Sequence, residues 1–212
     1  VDRPTWHSYL TYLAEALRAN GDNLSAELVL QRIEDGDFLG AATVFTTTTR
    51  IPAGELLRVQ AAPFLAHVPQ ERLAKLVPLV AAGFRAIVTT NYDRTLHDAY
   101  AQARSVTPLP IELDDGTLVN ASLRSEFFVA RIHGRAEKAD TMVLDSPQYQ
   151  RVACLDSYLD FLISLLKTRP CVFIGFSFFD PAIAQVLRIF RDRVGPRFPT
   201  LHLALLPSDA DP

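Results

Sequence analysis

Three short stretches of this sequence put polar, proton-handling groups directly after β-forming runs. In the first, Phe84 to Thr89 gives way to Thr90-Asn91-Tyr92-Asp93. In the second, Phe128-Val129-Ala130-Arg131-Ile132 ends in His133-Gly134. In the third, Cys171 to Ile174 ends in Gly175-Phe176-Ser177, with Asp180-Pro181 just after. An asparagine holds a water or a hydroxyl without ionising. A histidine titrates near neutrality and can take or give a proton. A Gly-x-Ser loop offers backbone N–H groups and a hydroxyl to a phosphate or ribose. Gly134 lets another group approach the backbone closely. Taken one at a time, each stretch also has an ordinary reading. Asn91 and Asp93 suit a turn and a helix cap, His133 suits a structural hydrogen bond, and Gly175 to Ser177 suits a tight turn. A Gly-x-Ser-x-Gly elbow would make Ser177 a nucleophile, but position 179 is Phe, so Ser177 is not read as one.

The elements that must position these residues are read from periodicity. Apolar residues at helical spacing predict helices over 4–20, 24–34, 38–45, 52–67 and 69–82, with Pro78 bending or delaying the last. The run Thr46-Thr47-Thr48-Thr49 reads as loop or strand edge. From Phe84 onward the character changes. Strands are predicted at 84–89, 127–132, 141–144, 171–174 (buried) and 201–206, with 107–110 extended and a turn at Asp114-Asp115-Gly116. Helices are predicted over 94–103, after Asp145-Ser146-Pro147, over 155–167 and from Asp180 to Asp192. This alternation predicts an α/β fold with a doubly wound parallel sheet. In such sheets ligands bind at the carboxyl ends of strands, where Asn91, His133 and Ser177 would share one rim. The chain reads as a single domain over 1–212, with 1–82 mainly helical and 83–212 carrying the sheet and the site.

The totals narrow the function classes. The 212 residues are 49% hydrophobic, enough for one proper core. A net charge of −3 gives no argument for nucleic acid or an anionic membrane as partner. Two cysteines, Cys154 and Cys171, cannot make a disulfide framework or a four-cysteine zinc site, and they fit a reducing cytoplasm. Cys171 reads as a buried small hydrophobe. No apolar run reaches the ~20 residues that span a bilayer. Val1-Asp2-Arg3-Pro4 is not a signal peptide, and without a starting Met the chain reads as a fragment. A Rossmann dehydrogenase is disfavoured because no Gly-x-Gly-x-x-Gly occurs.

The order of the three strand ends resembles the sirtuin-like superfamily. Within it, the chain is similar to the bacterial sirtuin-like NAD hydrolase domains of antiphage defence proteins, best from about Phe84 to Leu206. Thr90-Asn91-Tyr92-Asp93 resembles the family's Asn-x-Asp motif, Ile132-His133-Gly134 its His-Gly, and Gly175-Phe176-Ser177 its nucleotide-binding loop. Thr141-Met142-Val143-Leu144 with Tyr149 is similar to the segment after His-Gly in the defence branch. The resemblance implies a Rossmann-like fold and cleavage of the nicotinamide–ribose bond of NAD, without a metal. It implies Asn91 and His133 as catalytic residues, Asn91 orienting water or a ribose hydroxyl and His133 managing the proton. It implies NAD contacts from Thr90, Asp93, Gly134, Gly175 and Ser177, with Asp93 on the carboxamide and Gly175 and Ser177 on the adenosine side. It further implies an effector fused to, or assembled with, a sensor domain or partner protein, and a homo-oligomer. Three departures stand out. The four-cysteine zinc module that deacylating sirtuins carry after His-Gly is absent. Thr90 and Tyr92 replace the Gln and Ile of Thr-Gln-Asn-Ile-Asp. Nothing in Val1 to Trp6 matches the opening strand and Gly-Ala-Gly-x-Ser loop. Pro4-Thr5-Trp6 instead resembles the stretch just after that loop, so both strand and loop are expected upstream of this chain. Two other activities fit the same rim: an NAD-dependent protein deacylase, and a non-catalytic module that binds NAD or ADP-ribose.

Overall fold

Side-chain oxygens start the first three helices. Thr5, Asp22 and Asp37 accept the backbone N–H of Ser8, Ser25 and Gly40, each satisfying a donor the helix itself cannot. They open α1 (Trp6–Ala19), α2 (Asn23–Glu34) and α3 (Phe38–Thr48). The structure, a computed structural model, describes residues 4–112, 126–175, 180–194 and 201–205. Helix α3 runs past its expected end at Phe45. The hydroxyls of Thr46, Thr47 and Thr48 bond carbonyls three or four residues back, and Thr46 also donates to Asp145 at 2.7 Å, so residues read as loop stay helical. Two further helices, α4 (Ala53–Leu65) and α5 (Gln70–Ala81), each contain a proline, Pro63 and Pro78. Leu10, Leu13, Leu17, Val29 and Phe45 close a first core, which Leu144 joins from far along the chain.

The second half builds parallel strands. β1 (Ala86–Thr89) pairs with β3 (Phe128–Arg131), and β3 pairs on its other side with β2 (Leu109–Glu112), both in parallel. In this register Ala130 of β3 lies between Val88 and Ile111. β3 is the central strand of the three and all four of its residues are buried, as a parallel strand covered on both faces requires. Helices α6 (Thr95–Arg104), α7 (Ser146–Ala153), α8 (Asp156–Thr168) and α9 (Pro181–Val194) come in order. Phe128 and Ala130 of β3 pack with Val152 of α7, Phe161 and Leu162 of α8 and Ala182 of α9 in a second core. The architecture is α/β and Rossmann-like, with a helical N-terminal part. Among the described residues, no helix is long and apolar enough to cross a membrane.

Four expectations need correction. The third chemistry-bearing strand, β4 (Val172–Ile174), does not join the sheet of β1; it pairs in parallel with β5 (Leu203–Leu205) as a separate two-stranded sheet. Nor is β4 buried: Val172 and Ile174 are 37% and 45% exposed, and Cys171 beside them is only half-buried. Residues 141–144 form no strand. A 3-10 turn (Ala139–Thr141) leads into extended residues, and the Val143 N–H donates to the His133 carbonyl instead of to a ladder. Finally, the segment read only as extended becomes β2. The turn at Asp114 to Gly116 and residue Leu206 lie outside the described residues.

Candidate active site

The loop after β1 is tied down on both sides of one exposed residue. The Asn91 N–H donates to the Thr89 hydroxyl at 3.1 Å. Tyr92 is buried, and its hydroxyl donates to the Val143 carbonyl at 2.6 Å. Asp93 is buried and accepts the Thr95 N–H at 2.7 Å, an Asx-type turn just ahead of α6, whose N-cap is Arg94. Between these anchors the Asn91 side chain faces outward. Because β1 and β3 are neighbours, the loops after them are neighbours too. Ile132 donates to the Thr89 carbonyl and Ala136 to the Tyr92 carbonyl, both at 3.0 Å, so the pairing continues past the strands and fixes His133 beside the asparagine loop.

His133 is 1% exposed. Its Nε2 lies 3.3 Å from the Tyr158 hydroxyl, and its Nδ1 lies 3.6 Å from Asp180 Oδ2. Tyr149 meets the imidazole edge-on, with ring centres 5.2 Å apart. Burial holds the imidazole below its ordinary pKa, and the Asp180 carboxylate pulls partly the other way. The hydroxyls of Tyr149 and Tyr158 are pushed up by burial and by Asp180, so both stay protonated. Asp180 divides its two oxygens: Oδ1 accepts the Ile183 N–H at 3.0 Å and starts α9, while Oδ2 faces His133. Gly134 has a φ of +84°, and a Cβ there would stand 2.0 Å from the Thr141 carbonyl oxygen. The close approach that this glycine permits is by the protein's own backbone.

A cavity of about 100 Å³ opens at this rim, lined by Thr90, Asn91, His133, Tyr149 and Asp180 and by the start of α1. Three of the sequence-predicted site residues, Thr90, Asn91 and His133, meet there. Asp93 and Gly175 line a neighbouring slot of about 900 Å³, whose wall also includes Thr90 and Asn91. Gly134 lines neither space, and Ser177 lies outside the described residues. Sequence reasoning missed Asp180 and Tyr158 as site residues. Asp180-Pro181 signalled a helix start, and nothing local signals that its second oxygen reaches a histidine. Among the described residues, no three His, Cys, Asp or Glu side chains gather as a metal site.

Chemically, the site pairs an exposed carboxamide with a neutral imidazole backed by a carboxylate. Such an imidazole can accept a proton and have the resulting cation stabilised. The cavity takes a ring-sized group, well short of the roughly 300–1,000 Å³ of sites that enclose a whole drug-sized ligand.

The sequence profile of the SIR2-like domain matches residues 85–212. The NAD(+) hydrolase ThsA of Bacillus cereus (strain MSX-D12) is 27% identical over 100 residues. That alignment covers 47% of this chain and 21% of that protein, so the chain spans about a fifth of its relative's length.

Proposed function

The chain belongs to the SIR2-like domain family, and from that premise we propose that it is an NAD glycohydrolase. It cleaves the nicotinamide–ribose bond of NAD with water, giving nicotinamide and ADP-ribose, and serves as the effector domain of a bacterial antiphage defence protein. One observation carries the reading: the Asn91 carboxamide and the His133 imidazole share one cavity, with Asp180 behind the imidazole. The name of its relative, an NAD(+) hydrolase, supports it.

The steps are set by the groups present. The C1′–N bond breaks as nicotinamide leaves with the bonding pair, and positive charge develops on the ribose. Asn91 holds water, or a ribose hydroxyl, against that carbon. The water oxygen bonds C1′, and its proton passes to His133, directly or through a ribose hydroxyl. Burial keeps His133 neutral, hence ready to accept, and Asp180 stabilises the imidazolium that forms. Thr90 contributes to the same wall, while Asp93, Gly134, Gly175 and Ser177 are assigned to holding the rest of NAD.

The test is chromatography of NAD incubated with the full-length protein, with and without an acyl-lysine peptide. Nicotinamide and ADP-ribose in equal amounts without peptide are the expected result. Nicotinamide released only with peptide would make the protein a deacylase. Bound NAD with no nicotinamide released would make it a binding module.

A further inference from the structure

The central strand ends in a buried charge. Phe128, Val129 and Ala130 of β3 are apolar, and Arg131 after them is 5% exposed, in register with Thr89 of β1. A buried charge destabilises unless it is paired and hydrogen-bonded, and a well-packed apolar side chain in its place is often at least as stable. Stability alone therefore does not account for an arginine here, and its partners show what it supplies. We propose that Arg131 and Glu137 are positioning residues, an ion pair that clamps the loop carrying Asn91 to the loop carrying His133.

Arg131 Nη1 donates to Glu137 Oε2 at 2.8 Å and, more weakly, to the Tyr92 carbonyl at 3.4 Å. Tyr92 directly follows Asn91, and Glu137 comes shortly after His133-Gly134. The same Tyr92 carbonyl accepts the Ala136 N–H at 3.0 Å. The guanidinium, the carbonyl and the Ala136-Glu137 segment thus form one junction between the two loops. Charge assistance makes the Arg131–Glu137 bond stronger than the backbone bond beside it. Arg94 also approaches Glu137, Nε to Oε1 at 3.9 Å, but its side chain is 56% exposed, and such a pair contributes little. The clamp therefore rests on Arg131. Neither Arg131 nor Glu137 lines the cavity of about 100 Å³. They act through the backbone and leave the Asn91 carboxamide and the His133 imidazole to face a ligand.

A misplacement of about 1 Å between groups that act together can cost ~100-fold in rate. That consequence for turnover rests on the proposed NAD hydrolysis; the junction between the loops does not.

Two variants of the full-length protein separate positioning from plain stability. Glu137→Ala takes a counter-charge from the buried guanidinium and should lower both Tm and activity. Adding Arg131→Met removes the buried charge as well, puts an apolar side chain in its place and should restore Tm, but it does not restore the clamp. In both variants the Ala136 amide should exchange ~10-fold or more faster relative to that of Ile132, which bonds the Thr89 carbonyl outside the junction. In both, kcat for nicotinamide release should fall ~10-fold or more with KM for NAD unchanged. An Ala136 amide that keeps its protection, or a kcat that recovers along with Tm in the double variant, would overturn the proposal. The exchange measurement uses no NAD. A wild-type protein that releases no nicotinamide would thus count against the proposed hydrolysis, while the Ala136 amide still decides the clamp.

Discussion

In the proposed mechanism His133 accepts a proton, which it can do only while neutral, and its burial against Tyr149 and Tyr158 holds its pKa below the ordinary value. A lowered pKa sets the sign of the pH dependence. NAD hydrolysis should be flat through neutrality and fall on the acid side, with its midpoint below the ordinary histidine value of about 6.5. Asp180 raises that pKa, so Asp180→Asn should move the acid limb to still lower pH. It should also cut kcat by ~10-fold or more, because the imidazolium loses its counter-charge. A limb that stays in place would mean that the 3.6 Å approach of Asp180 does not bear on the titrating group. At this scale the sequence was informative where chemistry comes directly after a strand. That Asn91 and His133 line one cavity was legible because each closely follows a strand, and the two strands are neighbours. Asp180 was legible only as a cap, since the reach of Oδ2 to His133 depends on how α9 packs against β3.

Elements were legible where one local signal decided them. Asp145-Ser146-Pro147 predicted the start of α7, and the structure contains a full capping box: Asp145 accepts the Gln148 N–H at 2.8 Å, and the Gln148 side chain accepts the Asp145 N–H at 3.1 Å. The same aspartate also accepts the Thr46 hydroxyl, joining α3 to α7. Asp145→Ala should therefore cost about 1–2 kcal/mol in urea unfolding, the upper range for a cap, and Thr46→Val should recover part of that loss in a double-mutant cycle. Additive losses would show that the bond between α3 and α7 contributes nothing. Elements decided by distant partners were not legible. Four threonines in a row suggest β-structure, but contact with Asp145 and back-bonding hold three of them in α3. Met142 to Leu144 have strand composition, yet the neighbour that takes the Val143 N–H is the His133 loop. The separation of β4 from β1 is a property of sheet assembly, which periodicity within one strand cannot carry.

For the whole molecule, the question is whether 1–82 and 83–212 act as one unit. Phe64 of α4 packs edge-on against Tyr92 with ring centres 5.1 Å apart, Thr46 donates to Asp145, and Ser146 donates to Thr43. We propose a single cooperative unit. Trp6, the one tryptophan, reports on the first part, so its fluorescence and the far-UV circular dichroism should unfold at the same denaturant concentration. Two separated transitions would divide the chain. Stability should also fall on acidification. His97 is buried, and its pKa is lowered to about 4 by burial and by Arg131 and Arg94; that of His133 is lowered too. Both titrate near about 6.5 when unfolded, so the unfolded chain binds more protons below that pH. Their contribution is intact above about 6.5 and is lost as pH falls toward about 4, a trend that His97→Leu should flatten in a series of Tm measurements. The most direct test of the central claim compares nicotinamide release from NAD by the wild-type and His133→Ala full-length proteins. The account predicts a loss of ~100- to 10,000-fold with the fold retained; cleavage by His133→Ala at the wild-type rate would contradict it.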